Sequence, residues 1–195
     1  MAVPVVRIRR FPGLGHTHWM GEAEAIRAES VIDAPPKVQF ETFIDQHRAY
    51  LNACLDGLTE EQARRRLVSS KTTLLGLVKH VTFAEQVWFD EAITGRTRAE
   101  IGIPETPDET FVLTEQDTIE SVRAAHRAAC AASRRMTANL GIDDIVSGNR
   151  RGPLPLRWVY MHVLRELAQH CGHADILREQ ILHPIESVSA PDDLG

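Results

Sequence analysis

The chain has only three cysteines, Cys54, Cys130 and Cys171, far apart and without a Cys-x2-Cys pair. That excludes a disulfide scaffold and fits a reducing cytoplasm, the expected location. No apolar run approaches the ~20 residues needed to cross a bilayer, so no membrane partner is expected. Positive charge is not in excess. Lysine and arginine number 22 against 27 acidic residues, which leaves a net charge of −5 and a pI near 6.0. A nucleic-acid partner would call for a basic footprint. The basic runs "RIRR" (7–10) and "RRR" (64–66) are short and read as a solvated terminus and helix end. The N-terminus carries its charge after its apolar residues rather than before them, so it lacks the form of a secretion signal. Internal repeats and low-complexity tracts are also missing, and there is almost no strand signal.

What remains is ordinary globular composition, 43% hydrophobic and 25% charged, with enough apolar material for a sizeable core. Helical periodicity dominates it. From Val38, the residues Phe40, Ile44, His47, Leu51, Cys54 and Leu55 recur at spacings of three and four, and Gly57 is a natural stop. "TEEQ" (59–62) has the form of a capping box, Thr59 with Gln62, and opens a short connecting helix. A second long helix is predicted over 72–94, with Leu74, Leu77, Val78, Val81, Ala84, Val87 and Trp88 as its stripe and Gly95 as its stop. A third spans 117–140 and is rich in alanine. A fourth runs from Leu156 to Leu182 and ends before Pro184. The segments 95–116 and "SGNRRGPLPL" (147–156) read as loops, and loops as long as the first are often functional.

Four long helices predict an all-α four-helix bundle over residues 37–184. Residues 1–36, with prolines at 4, 12, 35 and 36, read as an extended or partly disordered arm, with one short strand over 3–11. Within it, His16 and His18 form a His-x-His pair, read as exposed rather than as a second metal site. Residues 185–195 read as a flexible tail.

The fourth helix concentrates the chemistry. His162, Glu166 and His170 follow one another at intervals of four, which nearly stacks them on one face. The apolar stripe is Leu156, Val159, Val163, Leu167, Ala174 and Leu177. Glu166 and His170 lie on its border, so a carboxylate and an imidazole point toward the bundle interior. Burying that carboxylate is costly unless it is paired or bound to a cation. On the second helix, His80 shares a row with Leu77 and Ala84 and also faces inward. His80, Glu166 and His170 could therefore converge on one divalent metal, with open positions left for substrate. Two imidazoles and a carboxylate suit zinc first, then nickel or iron. The bland alternatives are a hydrogen-bonded core histidine at position 80 and a helix-stabilising i,i+4 pair at 166 and 170. His162 could be a fourth ligand, a partner orienting Glu166, or a residue at the bundle end; the orienting role is favoured. His173 reads as a supporting or substrate-facing residue. Both are candidates for general acid–base work. Cys171 is rotated about 100° from His170 and reads as packed. His47 is an outside candidate, and His126 and His183 read as peripheral.

These residues lie in stretches that resemble the DinB-like superfamily: "TTLLGLVKHVTFAEQVWF" (72–89), "LRWVYMHVLRELAQHCGHADILREQI" (156–181), "LTEEQARRR" (58–66) and "DTIESVRAAHRAACAASR" (117–134). The resemblance covers about residues 38–183 and leaves out the arm. It implies a four-helix bundle with a long crossover, often a homodimer, holding a divalent metal on three side chains. Many relatives use one histidine on the second helix and a His-x3-His pair on the last. Relatives of the mycothiol-dependent maleylpyruvate isomerases use Glu-x3-His instead. Mapped by motif, the ligands here are His80, Glu166 and His170, and Glu166 departs from the all-histidine pattern. His173 stands where many relatives have glutamine. The resemblance implies activation of mycothiol or another small thiol toward a small-molecule substrate, for S-transfer, conjugation or isomerisation. The residues alone leave a metal-dependent hydrolase or a non-catalytic binding bundle open. Despite the superfamily's name, a DNA-repair activity is not implied.

Overall fold

The computed structural model describes residues 28–184. The expected N-terminal strand, the His16/His18 pair and the tail lie outside them. Within the described part of the expected arm, Ala28–Val31 form a 3-10 turn rather than extended chain. Val31 is buried, and Gln39 Nε2 donates to the carbonyls of Ile32 and Ala34, both at 2.9 Å.

Four long helical elements make the bundle. Helix α1 (Pro36–Ala53) starts at a proline, whose missing N–H costs nothing in a first turn. Its periodic residues run on through a turn, and Gly57 closes that turn with φ of +72°. Helix α2 (Glu60–Arg64) carries the expected capping box between Thr59 and Gln62. Helix α3 (Leu74–Glu85) is capped by Thr73 Oγ1, which accepts from the Gly76 N–H. It continues through a π-helical turn, Gln86–Glu91, into the short α4 (Ala92–Thr94). The expected loop 95–116 holds two small elements, α5 (Arg98–Ile101) with its own capping box and a 3-10 turn at Pro107–Phe111. Helix α6 spans Ile119–Thr137. It ends before the expected Gly141 because Lys37 Nζ, from α1, takes the Thr137 and Leu140 carbonyls at 2.8 Å each. A two-residue ladder pairs β1 (Ile145–Val146) with β2 (Leu154–Pro155), antiparallel. Helix α7 (Leu156–Leu182) follows directly.

Helix α1 packs on α7 and α6, and α3 packs on the same two. Helices α1 and α3 therefore stand at opposite corners of the bundle. All six residues of the expected α7 stripe are buried, Leu156, Val159, Val163, Leu167, Ala174 and Leu177. One polar contact spans the core between the corners. The Arg48 guanidinium donates to both oxygens of Glu85 at 2.7 and 2.6 Å, and Ser133 Oγ donates to Glu85 Oε2 at 2.8 Å. All three are buried, so each charge has partners in a place where an unpaired one would be costly.

His126 is not peripheral. It is 1% exposed, with Asn52 Nδ2 at 3.3 Å from Nδ1 and Cys130 Sγ at 3.5 Å from Nε2. The alternating small residues around it on α6 hid an inward row. His183 is exposed, as expected.

Candidate metal centre

The seam between α3 and α7 brings His80, Glu166 and His170 together. One ligand atom from each lies within 4.8 Å of the others. The two imidazoles meet edge to face, with ring centroids 4.8 Å apart. His170 Nε2 is 3.8 Å from Glu166 Oε2. None of the three is exposed: Glu166 and His170 are half-buried and His80 is the most enclosed.

The long 95–118 connection orients His80. Its 3-10 turn places the Thr110 hydroxyl 2.9 Å from His80 Nδ1 and stacks the Phe111 ring on the imidazole, 4.6 Å between centroids at 19°. Thr110 Oγ1 also donates to the Pro107 carbonyl at 2.5 Å. A hydroxyl has one proton. With that proton on Pro107, Thr110 can only accept from His80, so Nδ1 carries the imidazole proton and Nε2 presents a bare lone pair. This is the arrangement in which an outer partner holds a metal-binding histidine.

The electrostatics favour neutral imidazoles. Burial holds His80 below the ordinary histidine range, opposed by the nearby Glu166. His170 is pushed down to about 4 by burial and by His80. Neutral histidine is the ligating form. His170 Nδ1 is buried with no hydrogen-bond partner among the described residues. His170 turns its other nitrogen, Nε2, toward Glu166, and two imidazoles and a carboxylate with ligand atoms within 4.8 Å of one another form a donor set that fits a divalent cation such as zinc.

His162 stays outside this cluster. It is packed between Trp88, 4.0 Å between centroids, and Trp158, stacked at 6°. Arg165 Nη2 lies 3.0 Å from its Nδ1. An arginine N–H can only donate, so His162 Nδ1 accepts and Nε2 carries the proton, facing Glu166 Oε1 at 3.7 Å. His162 thus lies beside Glu166. His173 is exposed, with its ring 5.6 Å from that of His170. His47 is tied to the Phe43 carbonyl of its own helix at 2.7 Å and takes no part. Burial pushes the thiols of Cys54, Cys130 and Cys171 up to about 12.

A cleft of about 270 Å³ runs from His80 and Glu166 past Trp88 and His162 to Asn149 and Arg151. The π-helical turn supplies Trp88 and Glu91 to its wall. Sequence reading missed Thr110, Phe111, Asn149 and Arg151 here. The length of the loop 95–116 was a signal for the first two. The Trp158–His162 spacing of four was the only local hint of the stack.

The chain matches the family model described as Mycothiol-S-transferase over residues 39–182. That span contains every residue named in this site. No curated protein matches the chain.

Proposed function

Because the chain belongs to the mycothiol-S-transferase family, within the DinB-like superfamily, we propose that it is a divalent-metal-dependent enzyme that transfers a small thiol to an electrophilic small molecule. The observation that carries this reading is the convergence of His80, Glu166 and His170 within 4.8 Å, with the protonated face of His80 committed to Thr110. Zinc is the preferred ion, and mycothiol or a similar thiol the preferred co-substrate. A cation held there would supply Lewis-acid stabilisation that lowers the pKa of a bound thiol. The thiol must come from outside, because the chain's own three are held at about 12 by burial and are poor nucleophiles at neutral pH.

The side chains divide the remaining work. Phe111 and Thr110 fix the plane and tautomer of His80. His162 and Arg165 flank Glu166 and keep its carboxylate turned toward the site. We assign to His173, exposed beside His170, the role of taking the thiol proton as the S–H bond breaks and the S–C bond forms. In an addition that proton ends on the carbon beside the one attacked; in a substitution it leaves with the departing group.

Protein purified without a histidine tag should contain close to one equivalent of zinc and conjugate mycothiol to an electrophile such as monochlorobimane. His80→Ala should lose both the metal and the conjugation. A His80→Ala protein that keeps its metal and its turnover would overturn the proposal.

A further inference from the structure

We infer that the arginine-lined arm of the cleft is a built subsite for an anion, and that the electrophile carries a carboxylate. This rests on the thiol-transfer reading for what the bound molecule then does, but not for its binding. The cleft is lined by four arginines, Arg98, Arg150, Arg151 and Arg165, against two carboxylates, Glu91 and Glu166. Both carboxylates are already engaged: Glu91 Oε2 takes Arg98 Nε at 3.0 Å, and Glu166 Oε1 lies 3.4 Å from Arg165. The cleft is thus locally positive on a chain whose net charge is −5, and the excess falls on Arg150 and Arg151.

The second observation is Asn149. It is only 6% exposed, yet its Nδ2 has no partner among the described residues. The side-chain orientation is fixed by the backbone. The Arg151 N–H donates to Asn149 Oδ1 at 2.7 Å, and an N–H can only donate, so Oδ1 is the satisfied end and the buried NH2 group, on a residue that lines the cleft, is the end left over. A buried donor without an acceptor is costly unless a ligand or water completes it.

The loop that carries these groups is tightly held. The Gly148 N–H donates to the Ala92 carbonyl at 2.9 Å. A Cβ at position 148 would overlap the Glu91 carbonyl and the Gly95 backbone. Gly152, at φ +83°, closes the turn. The Arg151 guanidinium lies over the faces of Trp88 and Trp158, at 5.7 and 5.8 Å, so it is placed before any ligand arrives. Trp88 touches His162, and His162 faces Glu166. The anion site therefore sits one ring pair, Trp88 against His162, from the metal cluster. The groups at this end of the cleft, the Arg150 and Arg151 guanidiniums and the Asn149 NH2, are donors, which favours an acceptor-only ligand group; a planar carboxylate matches the guanidinium fork. The volume lies just below the ~300 Å³ lower end of usual ligand pockets, so the occupant is a small molecule.

Benzoate and its neutral isostere benzamide test this by calorimetry on the full chain, both stripped of metal and loaded with zinc. Benzoate should bind at least tenfold more tightly than benzamide in both forms. Arg151→Gln, at an exposed position, should cost about tenfold in benzoate affinity and leave benzamide unchanged. Asn149→Asp keeps the Oδ1 contact, replaces the donor by a charge, and should do the same. Equal affinity of the two probes, binding of benzoate only when zinc is present, or unchanged selectivity in Arg151→Gln would each overturn the subsite. Failure of the thiol-transfer reading looks different: anion selectivity would persist in a protein that conjugates no thiol.

Discussion

Replacing Thr110 by valine asks whether the tautomer of His80 is set from outside the metal cluster. Valine has nearly the shape of threonine, so the 3-10 turn and the Phe111 stack keep their packing. What goes is the hydroxyl that accepts from His80 Nδ1 at 2.9 Å and donates to the Pro107 carbonyl at 2.5 Å. His80 is then free to place its proton on either nitrogen and to rotate. Loss of such an outer partner typically costs 10- to 100-fold in metal affinity, or about 1.4–2.8 kcal/mol at 1.4 kcal/mol per tenfold. Thr110 is 1% exposed, so the orphaned groups should also lower fold stability, by about 1–3 kcal/mol. The two effects separate experimentally. Metal affinity is read by titrating zinc into stripped protein against a chromophoric chelator. Stability is read by urea unfolding of the same stripped protein. Thr110→Ser keeps the hydroxyl and should bind zinc nearly as the parent does. A valine variant that folds and binds zinc as tightly as the parent would refute the orienting role of Thr110.

Two further outcomes concern the bundle. Glu85→Ala leaves Arg48 buried, 6% exposed, with Asp45 at 2.8 Å as its remaining carboxylate, and should cost about 3 kcal/mol in urea unfolding, the low end for a broken buried pair; a cost under about 1 kcal/mol, the level of a surface pair, would show that the contact is solvated. Burial pushes His126 down to about 4, below the ordinary 6.5 of an unfolded chain. The unfolded state therefore binds the extra proton first, so the stability from neutral His126 is full above pH 6.5 and is lost as pH falls toward 4. The loss amounts to about 3 kcal/mol. His126→Gln should flatten that part of the stability–pH curve, and an unchanged slope would contradict the burial.

The helices were legible because amphipathic periodicity is a local property. The α7 stripe of Leu156, Val159, Val163, Leu167, Ala174 and Leu177 is wholly buried, and the Thr59–Gln62 capping box forms as its spacing implied. The border position of Glu166 and His170 on that stripe, and the inward row of His80, were likewise visible from a period of 3.6. Periodicity misjudged His126, because a helix as rich in alanine as α6 has no sharp contrast between its faces. It also missed the Arg48–Glu85–Ser133 contact, whose members come from three different helices.

The sequence by itself determined four long helices, their facing residues and the spacing of Glu166 with His170, since each depends on neighbours within a few turns. Only the tertiary structure decided that His80 meets that pair across the α3–α7 seam. Only it brought Thr110 and Phe111 back onto His80, and left His162 beside Glu166 between two tryptophans. It also set Asn149 and Arg151 at the far end of the same cleft. These juxtapositions join segments tens of residues apart. Their geometry follows from how the helices cross and where the connecting loops land, which no local pattern encodes.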